Sequence, residues 1–169
     1  ASNLSISYTF DFAALIMMGT APAMMVAGFS AWTQSQFSTA RRNPLYRVAF
    51  NISALILTVQ AAGATFSYLG GQPGGFEVES GAKALVAAAL VYYLVNTGLV
   101  GIAVALATGQ KIWTAWHANF LWTAPSYFVG AGAAAGAVML WNSAHGWLLP
   151  LAAAPVFLKS VARIEALLF

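Results

Sequence analysis

Residues 94–125 read LVNTGLVGIAVALATGQKIWTAWHANFLWTAP. The run is apolar, is interrupted by the carboxamide of Asn96, breaks at Thr108-Gly109-Gln110-Lys111, and turns apolar again after a tryptophan-rich elbow. Continuous apolarity without alternation at period two reads as membrane helix and not as barrel strand. The glycine and the charge at 109–111 mark the end of that helix. Asn96 is the informative residue, because an unpaired amide in hydrocarbon is costly and must meet other protein.

The rest of the chain has the same character. Of 169 residues, 60% are hydrophobic and 7% charged, with a mean hydropathy of +0.76. Soluble proteins carry roughly a quarter charged residues. Seven Lys and Arg with four Asp and Glu cannot coat a soluble core of this size. The expected fold is therefore all-α, a polytopic membrane helix bundle forming one domain over 1–169. Five segments approach the length that crosses about 30 Å of hydrocarbon at about 1.5 Å per residue. They are Phe10 to Trp32, Val48 to Leu69, Ala84 to Ala107, Leu121 to Trp141 and Leu148 to Val161. The last is short before Lys159, a side chain long enough to snorkel to the interface.

Charge orients these segments. Arg41, Arg42, Arg47, Lys111, Lys159 and Arg163 fall on one side of a five-span arrangement, and Lys83 falls on the other beside Glu77 and Glu79. The excess places the first side in the cytoplasm of a bacterial inner membrane, with the N-terminus out and the C-terminus in. Ser2 to Ser7 lacks the basic start of a secretory signal, and the chain opens without an initiator Met. A helix lost ahead of residue 1 would make the count six, and the helix-like ending Ile164 to Phe169 reads as a chain that continues. The net charge of +3 leaves no nucleic-acid footprint. Zero cysteines exclude disulfides, thiolate metal sites and a cysteine nucleophile.

Two polar rows run along the second segment at spacing seven, Asn51/Thr58/Thr65 and Ser53/Gln60/Ser67. Seven residues rotate a helix only about 20° from full turns. Each row therefore keeps one face, and the two faces, about 200° apart, demand neighbours on both sides of this helix. The pattern "AFNISALILTVQAAG" has a partial echo in "LVNTGLVGIAVALATG", a match too short to establish a repeat. In the third segment Tyr92 and Tyr93 lie one turn before Asn96. Two readings fit these residues: interhelical hydrogen bonding, worth about 0.6–2 kcal/mol per contact, or a small polar pocket lined by Asn51, Thr58, Gln60, Tyr92 and Asn96 for an amphipathic ligand.

In the fourth segment Gly132 and Gly136 form a small-xxx-small pair, a face suited to helix packing or to a partner subunit, lipid or pigment. The elbow places Trp113, Trp116 and Phe120 at helical spacing, with His117 and Trp122 beside them, and reads as an aromatic belt at headgroup level. His117 and His145 lie at opposite interfaces; each is solvated, or ligates a tetrapyrrole, or makes a pH-sensitive contact. Asp11 falls at the outer end of the first segment and Glu165 after the last. No nucleophile–base set, paired carboxylates, HExxH or phosphate loop is visible, so no enzyme is expected. No cofactor is fixed by these residues, although the aromatic interfaces suit lipid, quinone or pigment.

Within Arg41 to Tyr127, "RRNPLYRVAFN", "YYLVNTGLV" and "WHANFLWTAPSY" occur in that order. They resemble the basic loop, the FN helix start, the VNT helix and the tryptophan-to-Pro-Tyr elbow of the membrane regions of bacterial HD-GYP and diguanylate-cyclase signalling proteins. About half the chain is covered. The resemblance implies a sensor that signals to a cytoplasmic output domain, and it singles out Phe50, Asn51, Val95, Asn96, Thr97, Trp116, Asn119, Phe120, Trp122, Pro125 and Tyr127. Two departures stand out: the sequence reaches Phe169 without entering an output domain, and His117 stands where a basic residue is expected. The leading expectation is a non-enzymatic sensor module with a polar intramembrane pocket. The alternative is a small accessory or scaffold subunit bound to other membrane proteins in a larger assembly, photosynthetic or respiratory, and a transporter component for a neutral solute ranks third.

Overall fold

A computed structural model describes residues 7–37, 44–74, 76, 78–120 and 123–143. Six helices account for nearly all of them: α1 (Ser7–Met18), α2 (Thr20–Phe37), α3 (Leu45–Tyr68), α4 (Val78–Thr108), α5 (Ile112–Phe120) and α6 (Ala124–Asn142). By length and composition, α3, the Gly81–Thr108 part of α4, and α6 are fit to cross a membrane, whereas α1 is a shorter apolar helix. The expected fifth crossing, Leu148 to Val161, lies outside the described residues, as do His145, Trp122, Arg41 and Arg42.

Local chemistry sets the helix ends. Pro44 precedes α3 in an extended conformation, as a residue outside a helix start does. Helix α4 runs 31 residues without a proline and stops where Gly109 takes φ +67°, with the Gln110 N–H donating to the Ala105 carbonyl at 3.1 Å. That six-to-one closure around a left-handed glycine satisfies carbonyls the helix would otherwise leave open. Pro125 sits in the first turn of α6, where its missing N–H costs nothing.

The first expected crossing, Phe10 to Trp32, is not one helix. Gly19, at φ +89°, separates α1 from α2, and contacts on either side show that the two run in opposite senses. Thr20 packs on Gly63, Gly28 on Ile56, and Ser35 accepts from Asn51 at 3.3 Å, so α2 descends antiparallel to α3 from the 69–76 connection. Helix α1 instead rises towards that connection, with Tyr8 beside Tyr127, Asp11 on Tyr92, and the Ile16 carbonyl accepting from Gly74 N–H at 2.9 Å. The first expected crossing is therefore an antiparallel helix pair and not a single span. An apolar average over the segment cannot register a single left-handed residue, which is why the break escapes a hydropathy reading.

Helix α3 lies between α2 and α4, and α6 packs on α1 and α4. The shared core is rich in small residues: Ala23, Ala27, Ala62, Ala84, Ala88, Ala131 and Ala134 are buried among Phe12, Leu15, Phe66 and Tyr92. Alanines let backbones approach, and between helices in lipid this close packing replaces the hydrophobic drive available in water. The outward face of α6 differs, because an added Cβ at Gly132 or Gly136 would meet nothing within 4 Å. Close packing on α6 occurs instead at Gly130, which faces the ring of Tyr8.

Two glycine substitutions should separate these environments. At Gly63 a Cβ would stand 2.5–2.9 Å from three atoms of Thr20, so Gly63→Ala should destabilise the bundle by about 1–3 kcal/mol. Gly132→Ala should cost nothing measurable, as read by thermal unfolding in detergent.

Candidate functional site

One group of interior polar residues gathers where α1, α4, α5 and α6 meet. Asp11, 1% exposed, accepts a hydrogen bond of 2.7 Å from the Tyr92 hydroxyl on its Oδ2. Its Oδ1 is buried and has no hydrogen-bond partner among the described residues. This corrects the expectation that Asp11 marks the outer end of a crossing: with α1 reversed, the carboxylate sits inside the bundle. The Tyr92 ring rests against Phe12 and Tyr127, with centroids 5.1 and 5.7 Å away.

From Tyr92 the rings continue towards α5. Tyr127 touches Tyr8 at 5.0 Å and meets Tyr93 edge-on at 5.5 Å, and Tyr93 lies 6.1 Å from Trp116, which stacks on Trp113 at 5.6 Å. Hydrogen bonds follow the same path. Asn96 donates to the Tyr127 hydroxyl at 3.0 Å, Tyr93 donates to the Phe120 carbonyl at 3.2 Å, and the Trp116 indole donates to Thr97 at 3.0 Å. Thr97, itself buried, donates in turn to the Tyr93 carbonyl at 2.6 Å.

These contacts also correct the picture of the elbow. Trp116 lies against Gly101 and Thr97 while Phe120 lies at Tyr93, so α5 doubles back antiparallel along α4 instead of lying flat at headgroup level. Gly101 makes this approach feasible, its missing Cβ leaving room for the indole. Only the outer part of α5 keeps a belt-like exposure: Trp113 is 70% exposed, and exposed His117 stands beside it with ring centroids 6.0 Å apart.

The residues expected to line one pocket make separate contacts. Asn51 pairs with Ser35 near the start of α3, Thr58 is buried and donates to the Ala54 carbonyl at 2.7 Å, and Gln60 faces outward. Tyr92 and Asn96 belong to the tyrosine junction. Of the residues singled out by resemblance, Asn96, Thr97, Trp116, Phe120 and Tyr127 converge there, whereas Phe50 and Asn51 lie far along α3. Asp11, Tyr8 and Phe12 belong to the site but were not marked by sequence reasoning. The available signal was Gly19-Thr20-Ala21-Pro22, a helix stop followed by a proline in the first turn of the next helix.

The arrangement holds one buried acid, several phenols and an amide, which suits hydrogen-bonded packing of four helices. Among the described residues no three His, Asp or Glu side chains converge on a metal position.

The model of the MASE9 family matches residues 9–166, nearly the whole chain, and the chain belongs to that family of membrane-associated sensor-type domains. No curated protein and no solved structure matches it.

Stability measurements should rank the junction. Tyr92→Phe, which strips the donor from Asp11, should cost about 1.5–3 kcal/mol, as expected for a hydrogen bond to a charged group. Asn96→Leu should cost about 0.6–2 kcal/mol, and its effect should be largely non-additive with that of Tyr127→Phe in a double-mutant cycle.

Proposed function

We propose that this MASE9 domain is a non-enzymatic sensor whose responsive element is the seating of α1 in the tyrosine junction, and that the signal leaves through α4 and α5 at the cytoplasmic end. The observation that carries this reading is Asp11. A carboxylate in an apolar interior with one donor and one orphaned oxygen holds α1 in place weakly for the cost of its burial. A displaced α1, with Asp11 solvated, competes with the seated one, and a signal that favours either arrangement shifts their populations.

The ring and hydrogen-bond series from Phe12 to Trp113 connects that seat to α5. Arg47 and Lys111 lie at the end of the α3–α4 pair away from the 69–76 connection, and the positive-inside rule assigns that end to the cytoplasm of a bacterial inner membrane. A cytoplasmic output domain of diguanylate-cyclase or HD-GYP type, in this chain or in a partner, would receive the movement. The small polar pocket belongs in this reading at the junction, around Tyr92 and Asn96, and exposed Trp113 and His117 offer contact to lipid headgroups.

A second reading, an accessory subunit packed into a larger membrane assembly, has the open Gly132/Gly136 face of α6 in its favour. Stoichiometric co-purification with such an assembly from native membranes would decide for it.

The relay can be tested by double spin labelling, because the chain has no native cysteine. Labels at exposed Phe10 and Val129 report α1 on α6, and labels at exposed Leu106 and Ile112 report α5 on α4. Tyr92→Phe should change the distance distribution of both pairs. A change at the first pair alone would remove the relay, and no change at either would remove the labile seat.

A further inference from the structure

Helix α3 turns one face to α2 and α4 and leaves the opposite face exposed. Along it stand Phe50, Ser53, Leu57, Gln60, Ala64 and Ser67, all exposed, at alternating steps of three and four. This is the spacing of a two-helix seam, with a polar row interleaved with an apolar one. Gln60 is eight residues from the Tyr68 end of the helix and fifteen from Leu45, or about 12 and 22 Å along the axis, too deep for its side chain to reach either interface. No hydrogen bond joins its carboxamide to any described residue. A primary amide facing lipid at that depth is expensive, and the inward row of the same helix shows how such groups are handled here: Asn51 and Thr58 are both bonded.

Copies of one chain insert in one orientation, so a pair is related by a twofold axis along the membrane normal. Helices meeting at that axis are parallel, and each residue faces its own counterpart. Such a seam tolerates only side chains that complement themselves, and this one holds nothing else. A carboxamide carries donors and an acceptor, a hydroxyl does the same, and Phe50, Leu57 and Ala64 are apolar. A charge of one sign anywhere on the row would point to a different partner, and the row has none.

We propose that the outward face of α3 is the seam of a parallel homodimer, with the Gln60 carboxamides of two copies hydrogen-bonded to each other at its centre. Ser53 and Ser67 flank that pair one heptad away on either side, and the seam runs about 26 Å from Phe50 to Ser67, most of the hydrocarbon thickness. The inference is independent of the sensing reading, since it uses none of the junction residues.

The test is single-cysteine crosslinking of the full chain in its native membrane, combined with the oligomeric mass in mild detergent. Ser53→Cys, Gln60→Cys and Ser67→Cys should form disulfide-linked dimers readily, whereas Met25→Cys on α2 and Val129→Cys on α6, both exposed, should not. With the native serines in place, Gln60→Leu should lower the association constant about three- to thirtyfold, the range set by one interhelical polar contact, and Gln60→Asn should recover part of the loss. A monomeric mass with no crosslinking along α3 would overturn the proposal and give the face to another occupant. Equal crosslinking at Met25 and Val129 would overturn it as well, by showing collision without a seam.

Discussion

A carboxylate inside an apolar bundle must have a donor, and in this chain the donor is the hydroxyl of Tyr92. Much of the architecture follows from bringing those two groups together across 81 residues of sequence. For Asp11 to reach Tyr92, α1 has to run back beside α4, which requires the left-handed turn at Gly19. That reversal leaves the Ile16 carbonyl without its helical partner, and the Gly74 N–H supplies one. It also puts Tyr8 against Gly130, where any side chain larger than hydrogen would collide with the ring. The glycines at 19 and 130 and the phenol at 92 thus serve one geometric end.

The same junction explains why α5 does not lie along the membrane surface. Tyr93, one residue after the donor and about 100° round the helix, offers its ring to Trp116 and its hydroxyl to the Phe120 carbonyl. With Thr97 accepting the indole N–H, one and a half turns of α4 supply partners to three other helices. Such concentration of polar contacts suits a membrane interior, where lipid offers no alternative partner to any of them.

Much of the helical framework was legible in the sequence, and the misses have physical causes. The runs that became α3, α4 and α6 are predominantly apolar, and α3 and α4 end close to glycines, signals that survive in any environment. The split of the first segment was not legible by hydropathy, since Gly19 and Pro22 hardly lower an average dominated by Ala, Met and Phe. The elbow misled because tryptophan suits an interface and an interior seam equally well, and only Gly101 opposite Trp116 decides between them. The two polar rows of α3 called for neighbours on both sides, but the row of Ser53, Gln60 and Ser67 is exposed, and rows of equal polarity cannot say which faces inward. Packing of α2 and α4 made that choice, turning Asn51 and Thr58 towards partners and Gln60 away from them.

The latch between Ile16 and Gly74 also fixes an order of assembly. During synthesis α1 emerges before each group that holds it: Gly74 is made after α3, Tyr92 within α4, and Gly130 only in α6. Until then Asp11 has no donor, and α1 can rest only where water still reaches its carboxylate, at the membrane surface. Among the described helices α1 is therefore made before its partners and seated after them, and its docking closes a bundle they have already formed.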